Sequence, residues 1–200
     1  MKWKTLCVGL AVCWIFGHQA VCWSHPHVFI HAAVDAVFDD EGLAGFRVRW
    51  VFDEMFSSTI RMDYDRNDNR RFEPSEVKAL EEGAFSNLKN FNYFVHVDIQ
   101  GKPFEVKSVR DFTAELKGEK MLYRFFVPCH VRATPRFKEI HIAVYDPEFY
   151  CSIFLIEDPL AYENREPYEV SCRVEDDPDR AYYFGQIIPQ EIRMRFKQKS

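Results

Sequence analysis

Apolar and polar positions along the chain switch between two periods. Over 27–39 they alternate loosely, and the run ends at Asp40-Glu41-Gly42, a turn signal. Residues 43–52 resume the alternation, with Phe46, Val48, Trp50 and Phe52 on one side. Two such runs around an acidic glycine turn predict a β-hairpin. On its first strand His25, His27, Phe29 and His31 share one face, while Val28, Ile30 and Ala32 share the other.

The period then lengthens. Residues 54–64 place Met55, Phe56, Thr59, Ile60 and Met62 at helical spacing, and 76–90 carry a second stripe of Val77, Leu80, Ala84 and Leu88. Beyond Asn92 the alternation returns. Residues 93–99 and 104–109 flank Gln100-Gly101 as a second hairpin, and 121–127, 140–145, 150–156 and 168–174 are short runs bounded by Pro, Gly or Asp. The spacing predicts an α+β domain, an antiparallel β-sandwich with a helical insert over 54–91. Asp176-Asp177-Pro178-Asp179 reads as a solvated loop without chemistry, and 190–199 as a basic segment of undetermined structure.

The first 24 residues read differently. Lys2 and Lys4 precede an apolar run over 6–16, and 19–24 form a polar, small-residue zone. This is the three-part pattern of a secretory signal, too short to span a bilayer. An uncleaved anchor, or a lipoprotein processed at Cys22, are the alternatives. Cleavage after Ser24 leaves a single β-rich domain over 25–200, placed in the periplasm, with no stable membrane span.

Composition narrows the partners. Hydrophobic residues make up 47% of the chain, with 19 phenylalanines, enough to bury a sizeable core. The formal charge is −5, and removing the two leader lysines takes it to −7, with no basic block. Nucleic acid and anionic lipid are poor partners for such a chain. Cys129, Cys151 and Cys172 remain after the leader. One of the first two can bridge to Cys172, or all three can stay free; without a CxxC, a thiolate zinc cluster is not expected.

Two stretches carry metal chemistry. If the mature chain begins at His25, its amine, its imidazole and that of His27 lie within a few ångströms, all ligands for a borderline divalent ion. Pro26 has no N–H to deprotonate, so an amine–imidazole brace remains and the backbone-amide chelate does not. Read blandly, His27 and His31 are solvated edge residues. The second stretch, 65–76, lies between the two predicted helices in the layout of an EF-hand. Asp65, Asn67 and Asn69 stand at loop positions one, three and five, the Arg71 carbonyl at seven, Glu73 at nine and Glu76 at twelve. Arg70 occupies the position that wants glycine, at a cost of about 1–2 kcal/mol. Weak calcium binding is expected; the alternative is a degenerate helix–loop–helix held by packing alone.

His25-Pro26-His27-Val28, Phe52-Asp53-Glu54, the 65–76 loop, Asn92-Tyr93-Phe94, the run from Val144 to Tyr150 and Cys172-Arg173-Val174 occur together and in order. In this the chain resembles a bacterial periplasmic family described as an uncharacterised transport-system periplasmic component, associated with NicO-type nickel/cobalt permeases. Arg70, and Phe29 where the family tends to have Trp, depart from its pattern. The resemblance implies transition-metal handling outside the inner membrane, with zinc, nickel or cobalt as the ion and the permease as partner. His25 and His27 are the first ligands to consider, with Asp53 and Asp146 at strand ends beside them. A helix N-cap for Asp53 and turn chemistry for Asp146 are the structural alternatives. His96, His130 and His141 are read as structural or surface residues.

Three functions follow: a non-catalytic metal carrier, a calcium-stabilised interaction domain, and a copper His-brace enzyme. Against the last stands the lack of HExxH, G-x-S-x-G or an acid–base pair in the sequence. The expectation is a protein that is not an enzyme.

Overall fold

Alternation sets the first two strands, as the hairpin pattern requires. The computed structural model describes residues 26–199, so the leader and His25 lie outside the described residues. β1 (Val28–Phe38) and β2 (Gly42–Phe52) pair antiparallel, with Ala32 opposite Trp50 and Val34 opposite Val48. Their turn needs Gly42: its φ is +151°, and a Cβ there would meet the Val131 carbonyl oxygen at 2.3 Å.

The insert follows. Helix α1 (Glu54–Tyr64) starts at Asp53, whose side chain caps it, and α2 (Pro74–Gly83) starts with a Glu73/Glu76 capping box and proline in the first turn. The helix expected over 76–90 is shorter than its stripe. After Gly83 the chain continues as a 3-10 segment, Phe85–Phe94, broken by left-handed Asn92 and Tyr93. Gly83 packs on Tyr64, where a Cβ would lie 2.8 Å from the hydroxyl. Ser86 and Asn87 turn back to the Glu82 and Gly83 carbonyls, bonds that compete with the helix ladder.

The remaining strands are β3 (Val95–Ile99), β4 (Lys102–Phe104), β5 (Arg110–Lys117), β6 (Lys120–Arg132), β7 (Lys138–Val144), β8 (Cys151–Glu163), β9 (Tyr168–Asp176) and β10 (Gln190–Gln198). They form two five-stranded sheets, ordered β5-β6-β2-β1-β8 and β4-β3-β7-β10-β9. The purely antiparallel expectation is corrected at one pairing. β8 runs parallel to β1, with Val28 opposite Cys151, because the chain leaves β7 in the second sheet and re-enters the first beside the start of β1. The second hairpin is also shorter than its pattern, since β4 ends at Phe104.

The core lies between the sheets. Trp50 is fully buried, edge-on to Phe125 at 4.9 Å and stacked on Phe94 at 6.0 Å. Ile192, Met194 and Phe196 of β10 are fully buried as well, so the basic C-terminal segment is a central strand. Its alternation was there to read, with Arg193, Arg195 and Lys197 between the apolar positions.

Candidate metal-binding rim and loop

One end of the first sheet gathers residues from three distant stretches. The His27 N–H donates to the Tyr150 carbonyl at 2.9 Å, and the His27 ring lies 5.0 Å from the Tyr150 ring on the outer side of the sheet. Asp53 closes β2 beside it. Its Oδ1 accepts from the Phe56 N–H at 2.9 Å and its Oδ2 from the Phe29 N–H at 2.8 Å, so one carboxylate caps α1 and ties it to β1. Asp146, in the turn before β8, is 3% exposed. Its Oδ1 accepts from Glu148 N–H at 3.0 Å and its Oδ2 from Cys151 N–H at 2.9 Å. Burial pushes the Cys151 thiol up to about 12, and the nearby Asp146 and Asp53 carboxylates add to it.

The fold thus brings His27, Asp53 and Asp146 to one rim. Each aspartate oxygen already accepts one backbone N–H and keeps one lone pair. Both structural alternatives, the N-cap and the turn, describe bonds these side chains make. Among the described residues no three His, Cys, Asp or Glu side chains form a group that could hold a metal ion.

The second gathering is the loop between α1 and α2. Asp65 and Glu76 are buried, at 6% and 4% exposure. Asp65 accepts from the Asn69 N–H at 3.1 Å and the Arg70 N–H at 2.9 Å. Asn67 accepts from Asn69 N–H at 3.0 Å, and Asn69 from Arg71 N–H at 2.7 Å. Glu76 accepts from Arg66 N–H at 2.8 Å and Glu73 N–H at 3.0 Å. The side-chain oxygens of 65, 67, 69 and 76 are therefore turned into one loop by its own amides. Glu73 is held low, at about 2, by a hydrogen bond shared with Glu76 and then by the Asn69 side chain. Arg70 takes the left-handed conformation at φ 63°, and its guanidinium reaches Glu119 and, at 3.3 Å, the Gly118 carbonyl in the β5–β6 turn.

A third polar region was not legible from residue spacing. Glu191 on β10 is 1% exposed, with His141 Nδ1 at 3.1 Å and Arg193 Nε at 2.6 Å. Arg180 lies over it, with Nε 3.3 Å from Glu191 and 3.2 Å from Asp177, and it also pairs with Asp98. Asp177, expected in a solvated loop, is 6% exposed and caps a 3-10 turn. The correction has a cause: 177–189 folds back over the outer face of the second sheet. Of the two readings given for His96, structural and surface, the structural one holds. Its ring stacks on Tyr145 at 3.9 Å, and burial lowers its pKa.

The three described cysteines are free, Cys129 and Cys151 buried and Cys172 exposed, so of the two alternatives the bridged one is set aside. No helix among the described residues is long and apolar enough to cross a membrane.

Two packed β-sheets with a short helical insert define the molecule as an α+β domain. The chain belongs to the family described as "Protein of unknown function (DUF1007)", matched over residues 10–183. It is 33% identical over 129 residues to an uncharacterized 15.5 kDa protein in the trpE 3' region of Spirochaeta aurantia, covering 64% of this chain and 91% of that one. An uncharacterized protein of Haemophilus influenzae is 24% identical over 155 residues, covering 76% of this chain and 70% of its own length.

Proposed function

We propose that this protein is a non-catalytic accessory protein of the bacterial periplasm that binds zinc, nickel or cobalt and works with a NicO-type inner-membrane permease. One observation carries the reading: His27, Asp53 and Asp146, far apart in the sequence, stand together at one rim of the first sheet. Ligation falls first on the amine and imidazole of His25 and the imidazole of His27. Asp53 and Asp146 hold the strand ends in place and offer their remaining lone pairs. A modest ligand set led by exposed His27 suits an ion that must be released again. Because the imidazoles must be neutral to ligate, binding weakens with acid.

The test is mass mapping of the mature N-terminus, then calorimetric titration with each metal alone. A chain beginning at His25 should lose at least about tenfold in affinity on His27→Ala, the scale of one ligand's worth, 1.4 kcal/mol. Unchanged affinity, or a mature chain that begins elsewhere, rejects the reading.

A second reading is favoured by the loop. Its buried Asp65 and Glu76 and the low-held Glu73 gather acids at the spacing of an EF-hand, and calcium there would stiffen the insert. A midpoint of thermal unfolding that rises with millimolar calcium, and not with magnesium, supports it. A midpoint indifferent to calcium rejects it.

A further inference from the structure

The strap over the second sheet carries an exposed aromatic tip. Residues 177–189 close on themselves, the Asp177 N–H donating to the Pro189 carbonyl at 2.9 Å, and Arg180 pins them to Asp98, Asp177 and Glu191. Tyr182 stacks on Tyr145 at 4.7 Å and bridges to Ile187. Beyond that bridge the chain turns through three left-handed residues, Tyr183 at φ 47°, Phe184 at 58° and Gly185 at 76°. Glycine alone takes that conformation freely. Two aromatic residues held in it between pinned ends mark a fixed shape and not a loose loop. That shape presents Phe184, 92% exposed, and Ile188, 50% exposed. From Ala181 to Gln190 there is no charged residue.

We propose that this tip enters the interfacial layer of a bilayer of net-uncharged lipids and seats the protein on the membrane surface. Three observations select a bilayer over a protein partner. The first is area. An aromatic side chain buries about 150–250 Å², so Phe184 and Ile188 fall well short of the roughly 1,000 Å² that a specific protein interface needs. A lipid interface takes up side chains singly and has no shape to match. The second is charge. An uncharged tip on a chain of formal charge −5 suits neutral lipid and not an anionic surface. Tyrosines beside a phenylalanine are also residues that settle at the membrane–water boundary. The third is where the described chain begins. Tyr183 packs on Phe149 at 5.2 Å, and the His27 N–H donates to the Tyr150 carbonyl at 2.9 Å, so the chain enters the fold next to the tip. Residues 17–25 link Pro26 to the apolar run over 6–16, a reach of at most about 30 Å. A leader directed into a bilayer therefore brings the fold to it with this end forward. The inference stands whether or not the rim binds a metal.

The test uses Phe184→Trp in the exported chain, with vesicles of phosphatidylcholine and phosphatidylethanolamine. Its emission, after subtraction of the wild type, should move to the blue when vesicles are added. Lipids brominated near the headgroup end of the acyl chain should quench it. Phe184→Ser should weaken binding to the same vesicles by about tenfold or more, the worth of one phenyl group taken out of water. Its near-UV spectrum should match the wild type, because the side chain it replaces is exposed. Phe137→Ser, an exposed site just before β7 and so at the opposite end of that strand from Tyr145, should leave binding unchanged. Adding phosphatidylglycerol should not tighten it. Emission that vesicles leave unchanged overturns the proposal and gives the tip to a protein receptor. Binding that F184S leaves intact, or that needs phosphatidylglycerol, overturns it as well.

Discussion

The rim and the insert loop both collect carboxylates that accept backbone N–H groups, and they differ in how many side-chain oxygens stand together. At the rim, Asp53 and Asp146 stand apart and each gives both oxygens to backbone N–H groups. In the loop, Asp65 and Glu76 likewise give both oxygens to backbone N–H groups, and Glu73, Asn67 and Asn69 add further side-chain oxygens beside them. A carboxylate bonded to amides has its charge met by the fold. The low-held Glu73 carboxylate is met as well, so the loop is set apart by the number of oxygens it turns inward and not by an unmet charge. So the acids of both regions are fold elements first, and those of the loop stand among more side-chain oxygens than those of the rim. The transition-metal reading must then rest on imidazole and amine, and the calcium reading on oxygen.

Asp146→Ala breaks the comparison hardest. It strips the acceptor from two N–H groups, one of them the buried Cys151 amide, where an unsatisfied donor costs about 1–3 kcal/mol. A loss of about 3 kcal/mol in urea unfolding is expected, without added metal. Asp146→Asn keeps one acceptor and should lose about half as much. If Asp146 were chiefly a ligand, both variants would be near neutral in metal-free buffer. Asp53→Ala comes next. Removing a helix cap costs about 0.5–2 kcal/mol, and here the tie to Phe29 goes with it. The α1 amides should exchange faster while those of α2 do not.

In the loop, Glu76 should behave as Asp146 does without metal and differ only when calcium is present. Glu76→Gln keeps one acceptor for two N–H groups, Arg66 and Glu73, so it should cost the calcium-free protein about 1–2 kcal/mol. It should abolish the gain that calcium gives the wild type. For a site with a dissociation constant of about 10⁻⁴–10⁻³ M, that gain is about 1–2 kcal/mol at several millimolar calcium. Acidity separates the sites further. The folded Glu73 pKa, about 2, lies below the ordinary 4.5. Its charge therefore contributes fully above pH 4.5, and that contribution is lost as pH falls toward 2. Calcium binding should be flat from about pH 7 to 5, across the range near pKa 6.5 where imidazole ligation fails. A calcium curve that falls together with the zinc curve would merge what the comparison separates.

Much of this was legible in the residues. The β1–β2 hairpin, the two helices around 65–76 and the alternation of the core strands follow from local period. The two roles of Asp53 and Asp146 could be named as alternatives but not chosen between. Choosing needs the Phe29 and Cys151 amides, which arrive from other strands. The parallel β1–β8 pairing depends on where a crossover lands, and no local period encodes that. Glu191 shows the limit best. A glutamate beginning a run with three basic residues reads as surface, and it is buried because 177–189, joined to it through Pro189, lies back over the sheet.

Arg70 gives the smallest effect and the finest distinction. It sits at φ 63°, where a side chain costs about 1–2 kcal/mol relative to glycine. Against that it ties the loop to Glu119 and Gly118, exposed contacts worth about 0.2–1 kcal/mol. Strain outweighs the tie, so Arg70→Gly should stabilise the calcium-free protein slightly, by about 0.5 kcal/mol. Removing a positive charge from the edge of an acidic loop should also tighten calcium binding, by about 0.3–0.5 log units for an exposed charge a few ångströms off. Both changes should be salt-sensitive, the first in opposite sense to the second. High salt weakens the Glu119 pair that the substitution removes, which enlarges the stability gain. It also screens the repulsion that Arg70 exerts on the ion, which shrinks the affinity gain. A stability loss in Arg70→Gly would mean that the tie to the β5–β6 turn positions the loop. The arginine would then be part of the device and not a departure from it.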